Sequence, residues 1–565
     1  MRHLMVLTVL LPAICSVGAR AEAAAGPSAW GVVAQGAWGA IWTSSPLVKI
    51  MQDTPVPTDS AKGVRLYAAS NEYEPFQLVL TPKKQISNIR IIPHTLTGAK
   101  NAKIAAWNIT VKNVEYVNCA QPTSEDVKPG LYPDPLPGHT PFAARPGKNS
   151  SVWITVYVAP KTAAGEYKGT IDVIASGVGK VVVPVSLHVW KFALPSVSRL
   201  RTAYGNAMSW PCTYNNATTT EQRRKTLDLY NLNFWKHRVS PYAPYWGYDI
   251  GVSAQGGTVK LDFTDFDIAI QKYFPLFNSF KLPRFEMSND VGLGKGSDGD
   301  RMKIDYMRRV AEHLVDKGVL GRGYDYITDE PTPENYDAVI EAAKLVRMAD
   351  QRIKVLLTEQ VEDKLIGSVD IWVPIGPEYN EQRAKQRQAT GEQVWWYLCT
   401  WPKHPWPGYF IDYPAMDLRM WHWMTWRYGL NGILYWETCY WQDNPWQTPM
   451  SQPDHRKWDW GNGDGHLLYP ATKTPSKKFV AKGPVDSIRW EMIREGIEDW
   501  DYFRTLQDRI DATPAAKRTL PAYIAAQDAL AQVNGCIKSF TDYNKDPTRA
   551  ESIRFAVAKA IEGMK

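Results

Sequence analysis

The sequence predicts a multidomain α and β protein: an N-terminal β-sandwich, then a (β/α)₈ barrel, then a C-terminal helical segment. Residues 30–195 consist of short alternating segments bounded by Gly, Pro and Asn, with almost no helical periodicity. Residues 199–480 alternate between strand-like and helix-like stretches, which is typical of a parallel barrel. Residues 485–565 are helical in pattern. A length of 565 residues fits two or three domains.

The first 21 residues have the pattern of a secretory signal peptide. Arg2 supplies the positive start, residues 4–17 form an apolar stretch, and residues 19–21 offer a small-x-small cleavage site. No later segment is apolar enough to span a bilayer. We therefore expect a secreted or periplasmic protein without a membrane span.

The predicted sandwich, residues 30–195, is rich in strands that alternate apolar and polar residues. β-Branched and aromatic side chains dominate these segments, and turn-forming residues separate them. Leu194 and Pro195 mark the end of the domain. The clearest strands lie at residues 76–82, 151–160, 165–176 and 181–190.

Eight strand-like segments follow within about 250 residues, as a (β/α)₈ barrel requires. They lie at residues 200–206, 239–246, 284–289, 324–330, 354–360, 370–376, 393–400 and 432–439. Helical stretches separate them, with the clearest at residues 300–318, 334–349 and 416–429. Residues 485–565 then complete the chain as helices.

Charge and cysteine content exclude several classes of protein. The formal charge of +7 falls to +5 without the signal peptide, because Arg2 and Arg20 leave with it and no acid does. No run of five basic residues occurs, so nucleic acid is not an expected partner. The remaining cysteines are few and far apart, which predicts neither a metal site nor a cofactor and leaves any disulfide unassigned. They are Cys119, Cys212, Cys399, Cys439 and Cys536.

The content of aromatic residues points to a class of ligand. The chain has 24 tryptophans and 28 tyrosines, and several tryptophans lie in polar, loop-like sequence at residues 440–447 and 456–465. Core packing accounts for most of them. Sugar rings also stack their apolar faces on aromatic planes, so a glycan is the expected partner.

Two adjacent acids, Asp329 and Glu330, follow the predicted strand at 324–328 and precede Pro331. In a parallel barrel the carboxyl ends of the strands form the active-site face. Two acids this close repel each other, so one can be held protonated while its neighbour stays ionised, as cleavage of a glycosidic bond requires. The alternative is that both acids only cap the helix that follows.

Several segments resemble glycoside hydrolase family 123 and its uncharacterised relatives. They are NEYEPFQLVL (71–80), WITVYVAPKTAAGEYKGTIDV (153–173), VWKFALP (189–195), TDEP (328–331), GDGHLLYP (463–470) and SIRWEMIREGIEDWDYF (487–503). The resemblance implies a retaining β-N-acetylgalactosaminidase that uses the substrate's own acetamido group. It further implies that Glu330 is the general acid/base and that Asp329 orients the 2-acetamido group.

The seventh predicted strand bears on this mechanism. It ends in aromatic residues and Cys399, with no acid where many retaining barrel enzymes carry their nucleophile. Glu359 and Glu437 also end strands, so a glycosidase for a non-acetamido sugar that uses one of them as nucleophile remains an alternative. A non-catalytic glycan-binding protein on the same fold is a second alternative.

Further substrate contacts are expected at the ends of other strands. A tyrosine on strand seven can hydrogen-bond the acetamide oxygen, a strand-eight acid can accept sugar hydroxyls, and asparagines follow strands one and three. For the aromatic residues, packing inside the barrel is the alternative. The predicted contacts are Tyr397, Trp436, Glu437, Trp395, Asn289 and Asn206.

Two charged segments are interpreted as structural. In residues 488–503 apolar side chains recur at helical spacing, and Arg494 and Glu498 are spaced as an i,i+4 ion pair. That segment predicts a helix that clamps the barrel. Residues 459–465 lack the alternating acids of a calcium loop and predict a turn-rich surface loop.

Overall fold

The computed structural model describes residues 29–255, 258–284, 297–450 and 460–564. The predicted signal peptide at residues 1–21 and the predicted substrate contact Asn289 lie outside these residues. Within them, no helix is both long and apolar enough to cross a membrane.

Fifteen strands build the N-terminal region as two packed sheets, with a short hairpin and an edge strand beside them. One sheet has the order β1-β2-β4-β13-β8, and the other has the order β12-β5-β14-β15-β3 with β6 and β7 at its side. The strands are β1 Val32–Gly36, β2 Gly39–Ser44, β3 Val64–Ser70, β4 Glu72–Pro82, β5 Ile86–Pro93, β6 Leu96–Gly98, β7 Lys103–Ile104, β8 Ile109–Asn113, β9 Tyr116–Cys119, β10 Gly130–Pro133, β11 Pro135–Leu136, β12 Phe142–Ala144, β13 Ser150–Val158, β14 Gly165–Ser176 and β15 Gly179–Ala193.

Alternation along the strands produces the sandwich core. The inward residues of both sheets, such as Phe76, Leu78, Ile154 and Val173, are fully buried in one apolar cluster. Two sheets that each bury one face against the other are the expected arrangement for such a pattern. The four clearest predicted strands correspond to β4, β13, β14 and β15.

Seven parallel strands form the barrel sheet in the order β16-β24-β23-β22-β21-β20-β19. An antiparallel hairpin, β17 and β18, is inserted before β19. The strands are β16 Arg201–Tyr204, β17 Gly251–Gln255, β18 Thr258–Asp262, β19 Phe280–Lys281, β20 Gly323–Thr328, β21 Val355–Leu357, β22 Ile371–Trp372, β23 Gln393–Tyr397 and β24 Gly432–Tyr435. The predicted sandwich, barrel and helical succession is confirmed.

The second barrel position differs from the prediction of a strand at residues 239–246. Only an isolated parallel bridge joins Pro241 to Tyr204. Proline has no N–H to give to a ladder, and Pro244 follows closely. The barrel nevertheless closes here: Tyr242 N donates to Tyr204 O at 2.8 Å, and Lys281 N donates to Tyr242 O at 2.9 Å.

The strand that pairs with β20 at the third barrel position is β19, Phe280–Lys281, and Pro283, which has no N–H for a ladder, follows it closely. The predicted strand at residues 284–289 lies outside the described residues except for Arg284, which is not in a strand.

Helices surround the barrel and complete the C-terminal segment. The α-helices are α1 Ser209–Asn215, α2 Thr220–Lys236, α3 Thr264–Tyr273, α4 Ser297–Asp316, α5 Tyr336–Ala349, α6 Glu381–Ala389, α7 Ala415–Arg427, α8 Ile488–Asp511, α9 Pro521–Gly535 and α10 Pro547–Gly563. Short 3₁₀ turns lie at Ala99–Asn101, Ala106–Asn108, Phe274–Leu276, Leu320–Arg322, Pro333–Asn335, Asp363–Leu365, Gly376–Glu378 and Ala515–Lys517. A two-residue strand, β25 (Asp486–Ser487), pairs with β11 and leads into α8.

Helix α8 lies between the sandwich and the barrel, and its residues 488–503 are all buried. The clamping helix is therefore confirmed, but the predicted ion pair of Arg494 with Glu498 is wrong. Arg494 pairs with Glu491 and Glu495 on its own helix, whereas Glu498 pairs with Arg238 of the barrel at 2.8 Å. A buried acid takes whichever cation shares its surroundings, and the helical spacing does not reveal that cation.

The sandwich and the barrel helix α7 supply further partners for α8. Asp134, beside β11, accepts from the guanidinium of Arg489 at 2.9 Å, and both side chains are fully buried. Arg419 on α7 binds Asp499. Buried charges are tolerated only when they are paired in this way. All five described cysteines are unpaired thiols.

Candidate active site

The two adjacent acids lie at the carboxyl end of β20, as the sequence predicts. A register shift between Tyr326 and Thr328 puts an irregularity in β20 just before them. Asp329 and Glu330 are both exposed, and Glu330 has a φ of +39°. Left-handed backbone is rare for a residue other than glycine and persists where the surrounding structure enforces it, as at functional sites.

Two neighbouring hydroxyls hold Asp329. The phenol of Tyr326 donates to its Oδ1 at 2.5 Å, and the hydroxyl of Thr358 donates to the same oxygen at 3.0 Å. Tyr326 points into the barrel from β20, and Thr358 follows β21 directly. Both donors fix the position of the Asp329 carboxylate.

Thr358 also fixes Glu330, because its Oγ1 accepts a hydrogen bond from Glu330 N at 2.9 Å. The same hydroxyl therefore contacts the backbone of one acid and the side chain of the other. Thr358 is only 3 % exposed, so both acids are hydrogen-bonded to a residue that is itself held in the interior. No pattern in the sequence pointed to Thr358 or to Tyr326, since both contacts depend on the register between β20 and β21.

Tyr397 reaches Glu330 from the other side of the barrel mouth. It is the last residue of β23, and its phenol donates to the Glu330 carboxylate. Burial, and then the nearby Glu330 charge, raises the pKa of Tyr397 above its ordinary value. Burial and Asp329 raise the pKa of Tyr326 in the same direction. Both phenols consequently keep their protons and serve as hydrogen-bond donors.

Strand β24 brings Trp436 to the rim next to an acid that sequence reasoning missed. Trp436 is half-buried, and its indole N–H donates to Asp464 at 3.1 Å, while Tyr435 donates to the other oxygen of Asp464 at 3.0 Å. Burial raises the pKa of Asp464 to about 6. Trp436 also contacts the rings of Tyr440 and Trp460 at 5.1 and 5.7 Å between centroids.

Asp464 belongs to the segment predicted as a turn-rich surface loop; its described part does form a turn, but the predicted surface position is wrong. Residues 461–470 are all buried. Asn462 accounts for much of this, because its amide donates to Asp412 at 2.7 Å and to the carbonyl of Gln121 at 2.8 Å. The glycines permit close packing: a Cβ at Gly465 would lie 2.3 Å from Trp436.

Glu437 is buried and engaged with backbone amides. Its carboxylate accepts from the N–H groups of Ala207, Thr438 and Cys439 at 2.9, 2.7 and 2.9 Å. Burial raises the pKa of Glu437 to about 7, although these hydrogen bonds oppose the shift. The side chain therefore braces the loop after β16 against the end of β24.

Asn206 has a similar bracing role. Its amide donates to the carbonyl of Ala243 at 3.1 Å and accepts from the N–H of the same residue at 3.0 Å. Both functions of the amide are used within the protein. The neighbouring Tyr242 lies at the mouth instead, with its ring 6.2 Å from that of Tyr326, and sequence reasoning did not single it out.

Glu359 follows Thr358 and is 8 % exposed. Its carboxylate accepts a hydrogen bond from Gln360 N at 3.3 Å. Burial raises the pKa of Glu359 to about 7, and the charges of Glu362 and Glu330 add to that effect.

Trp395 is not brought to the two acids. It shares its face of β23 with Tyr397 but lies two residues closer to the start of the strand, where it is fully buried against Tyr324. Alternation along a strand predicts the shared face but not the depth in the barrel. Cys399 lies beyond β23, and burial raises the pKa of its thiol to about 12.

Among the described residues, one group of three side chains has metal-ligating atoms close together: His237, Asp486 and Glu491. It lies after the C-terminal end of α2. Helices run antiparallel to the strands in such a barrel, so this group is at the opposite end from Glu330.

Comparison with known proteins matches two family models to this chain. One, described as "Glycoside hydrolase 123, catalytic domain", matches residues 298–506, and the other, "Glycoside hydrolase 123 N-terminal domain", matches residues 48–175. A solved structure of a family 123 glycoside hydrolase from Clostridium perfringens, reported with the details of glycolipid glycan hydrolysis, has a TM-score of 0.66. It is 16% identical and covers 92% of this chain and 96% of that chain.

Other solved structures are more distant. A GH5 xyloglucanase from Bacteroides ovatus has a TM-score of 0.27 at 9% identity, covering 77% of this chain and 98% of that one. A family 39 glycoside hydrolase from Bacteroides cellulosilyticus has a TM-score of 0.32 at 10% identity, covering 69% and 77%. No curated protein matches.

Proposed function

The chain belongs to glycoside hydrolase family 123, and from this premise we propose that it is an exported, retaining, substrate-assisted β-N-acetylhexosaminidase that favours β-linked GalNAc. The observation that carries the proposal is the pair of exposed acids at the barrel mouth, each with its own hydroxyl donors. Family membership makes the protein a glycoside hydrolase; the sugar, the mechanism and the export are our proposal.

In this mechanism Glu330 is the general acid/base. It protonates the leaving oxygen and later deprotonates the attacking water. Its exposed position leaves room for an aglycone, and the bond from Glu330 N to Thr358 fixes the backbone from which its side chain projects. Positioning of this kind contributes to catalysis because the acid is already oriented and loses little entropy on reaching the reactive geometry.

Asp329 orients the 2-acetamido group of the sugar. Two hydroxyl donors hold its carboxylate, and a carboxylate can accept the acetamide N–H. This contact makes the acetamide oxygen a better nucleophile towards the anomeric carbon. The oxygen forms an oxazoline-type ring as the glycosidic bond breaks, and the Asp329 charge stabilises the positive charge that develops there.

Tyr397 completes the site as a donor that keeps its proton. In the free protein the phenol donates to Glu330. When a substrate binds, the same phenol can turn to the acetamide oxygen and hold it below the anomeric carbon. Trp436, half-buried at the rim, offers a surface for the apolar face of the sugar ring.

The alternative nucleophiles, Glu359 and Glu437, are only partly ionised at neutral pH. A carboxylate nucleophile must be ionised. Burial raises the pKa of both Glu359 and Glu437 to about 7, so each is substantially protonated near neutral pH. Glu437 is also engaged with three backbone N–H groups. These properties favour participation of the acetamide over a double displacement on the enzyme.

The experiment that tests the proposal is hydrolysis of aryl β-glycosides of GalNAc, GlcNAc, galactose and glucose by the full chain. We expect activity on the acetamido sugars alone, highest on GalNAc, and tight inhibition by GalNAc-thiazoline, which mimics the oxazoline. The variants Glu330→Gln and Asp329→Asn should each lose about 10²–10⁴-fold in rate. Activity on galactose or glucose would refute the acetamide mechanism and retain the enzyme class.

Inactivity on all four sugars would favour a binding role or a narrower natural glycan. Export is tested separately, by N-terminal sequencing of the mature protein. Cleavage near residue 21 is the expected result.

A further inference from the structure

A cavity of about 410 Å³ lies between the sandwich and the barrel, outside the candidate active site. Its volume is in the range of small-ligand sites. We call it the interdomain groove. One wall is the outer face of the sheet that contains β4, β8 and β13, and the other is the C-terminal end of α2 with the segment before α8. Its lining includes Trp107, Lys112, Thr155, Tyr157, His237 and Arg494.

Aromatic side chains line the outer part of the groove. Trp107, on the 3₁₀ turn Ala106–Asn108, is 86 % exposed, the most exposed of the large apolar side chains in the described residues. Tyr73 and Tyr157 stack on each other with centroids 4.3 Å apart, and Trp235 is half-buried. An exposed indole beside a cavity offers a flat apolar surface on which the face of a sugar ring can stack.

Two buried polar atoms in the groove have no partner among the described residues. They are Oγ1 of Thr155, which is 5 % exposed, and Nε2 of His237, which is 3 % exposed. The other ring nitrogen of His237, Nδ1, is 2.8 Å from the carbonyl of Asn233 and so donates to it. Nε2 lies 3.8 Å from Glu491 Oε1, which is too far for a hydrogen bond, while the Thr155 hydroxyl can both donate and accept. A ligand that carries hydroxyl groups satisfies both atoms.

The charges in the groove are already balanced. Lys112 donates to both Asp486 and Glu491, and Arg494 pairs with Glu491 while lying over the ring of Tyr73. These two cations and two acids balance each other inside the groove, and the further lysine of the lining, Lys236, is exposed to solvent. A metal ion would have to displace the Lys112 ammonium from the two carboxylates, and a strongly charged polymer would find no complementary field.

We propose that the interdomain groove is an accessory binding site for an uncharged oligosaccharide. Trp107 stacks against a sugar ring, and Thr155 and His237 bind hydroxyl groups deeper in the cavity. The groove lies beside the C-terminal end of α2, away from the end of the barrel where Glu330 lies. It therefore holds a glycan without entering the reaction, and it retains the enzyme on a multivalent glycan surface.

The test uses the full chain with Glu330→Gln, so that bound glycans survive, and with GalNAc-thiazoline added to occupy the barrel mouth. Binding is measured on an array of immobilised neutral and sialylated oligosaccharides, and the strongest neutral glycan is then titrated by calorimetry. We expect binding to neutral glycans that persists with the inhibitor. Adding Trp107→Ala should weaken it about tenfold, as expected for loss of an aromatic stacking surface.

Thr155→Val provides a second variant with little risk to the fold. It replaces a buried hydroxyl that has no protein partner by a methyl group of similar size, a change that is near neutral for stability. We expect it also to weaken glycan binding. Leu131→Ala, at an apolar side chain 44 % exposed on β10, is the matched control and should bind normally.

The outcomes separate this proposal from the proposed function. If no glycan binds in the presence of the inhibitor, or if Trp107→Ala and Thr155→Val bind as well as the control, the groove holds only water and the proposal is wrong. Failure of the proposed function would instead appear as lack of hydrolysis of aryl GalNAc. Trp107→Ala should leave that hydrolysis unchanged.

Discussion

The phenol of Tyr397 donates a hydrogen bond to the carboxylate of Glu330 across the mouth of the barrel. The two residues are 67 positions apart in the chain and belong to the ends of β23 and β20. The end of the seventh strand therefore carries a hydrogen-bond donor to Glu330 and not a carboxylate nucleophile.

Tyr397→Phe removes this hydroxyl and keeps the ring. We expect kcat on aryl β-GalNAc to fall about 10–10²-fold, because both the orientation of Glu330 and the contact with the acetamide oxygen are lost. KM should change less than kcat. Tyr379→Phe, at another buried tyrosine whose hydroxyl contacts the carbonyl of Tyr428, is the control and should keep full activity. Equal kinetics for the two variants would contradict the assignment.

Thr358 is the point at which the two acids are held together. Thr358→Val keeps the shape but leaves Glu330 N without its acceptor and Asp329 without one donor. We expect kcat/KM to drop about 10–10²-fold, since small displacements of catalytic groups are costly. Thr358→Ser retains the hydroxyl and should recover most of the activity. If serine and valine behave alike, the threonine acts through packing alone.

The sequence predicted those site residues that lie at the end of a single strand. The pattern at 324–330 predicted both the strand and the emergence of Asp329 and Glu330 at the barrel edge, and the end of the next-to-last strand pointed to Tyr397. Thr358 and Tyr326 escaped notice because their contacts depend on the register between β20 and β21. Asp464 escaped because its loop was interpreted as exposed, whereas Asn462 fastens it to the sandwich.

The parts of the fold that sequence reasoning misjudged depend on contacts between distant segments. Strand two is reduced to a bridge between Pro241 and Tyr204, and single hydrogen bonds of Tyr242 close the barrel there. The ion pairs of α8 were assigned by helical spacing alone. Their actual partners come from distant segments, as Arg238 does for Glu498. Tertiary partners of this kind are not encoded in local periodicity.

Glu359→Gln tests the alternative nucleophile. Glutamine is a close mimic of the protonated acid, which is the form that a pKa of about 7 favours at lower pH. We expect activity on aryl β-GalNAc to stay within about tenfold of wild type. A loss comparable to that of Glu330→Gln, about 10²–10⁴-fold, would instead indicate a double displacement through Glu359. Glu437→Gln should likewise retain activity, because the glutamine side-chain oxygen can still accept the hydrogen bond from Ala207 N.

Glu359→Gln should also change how the stability of the protein depends on pH. The pKa of Glu359 is raised to about 7 in the folded protein, compared with about 4.3 in an unfolded chain. The folded state therefore binds the proton more strongly than the unfolded chain does. The resulting stabilisation of the folded state is present below pH 4 and is lost as the pH rises to 7. Relative to wild type, Glu359→Gln should thus become more stable by about 1–3 kcal/mol between pH 4 and pH 8. Thermal unfolding of both proteins at several pH values measures this change. A stability difference between them that does not vary with pH would contradict the raised pKa of Glu359.

The buried pair of Asp134 and Arg489 joins the sandwich side of the molecule to α8, and its loss should destabilise the whole chain. Burial alone would raise the pKa of Asp134, but the guanidinium outweighs it and lowers that pKa, so the pair is charged. Arg489→Met leaves the carboxylate buried without its cation, which costs about 3–5 kcal/mol. Arg504→Met on the same helix breaks only part-exposed pairs with Asp508 and Asp511 and should cost less than about 1 kcal/mol. Chemical denaturation compares the two variants, and equal losses would show that burial of the Arg489 pair is not what matters.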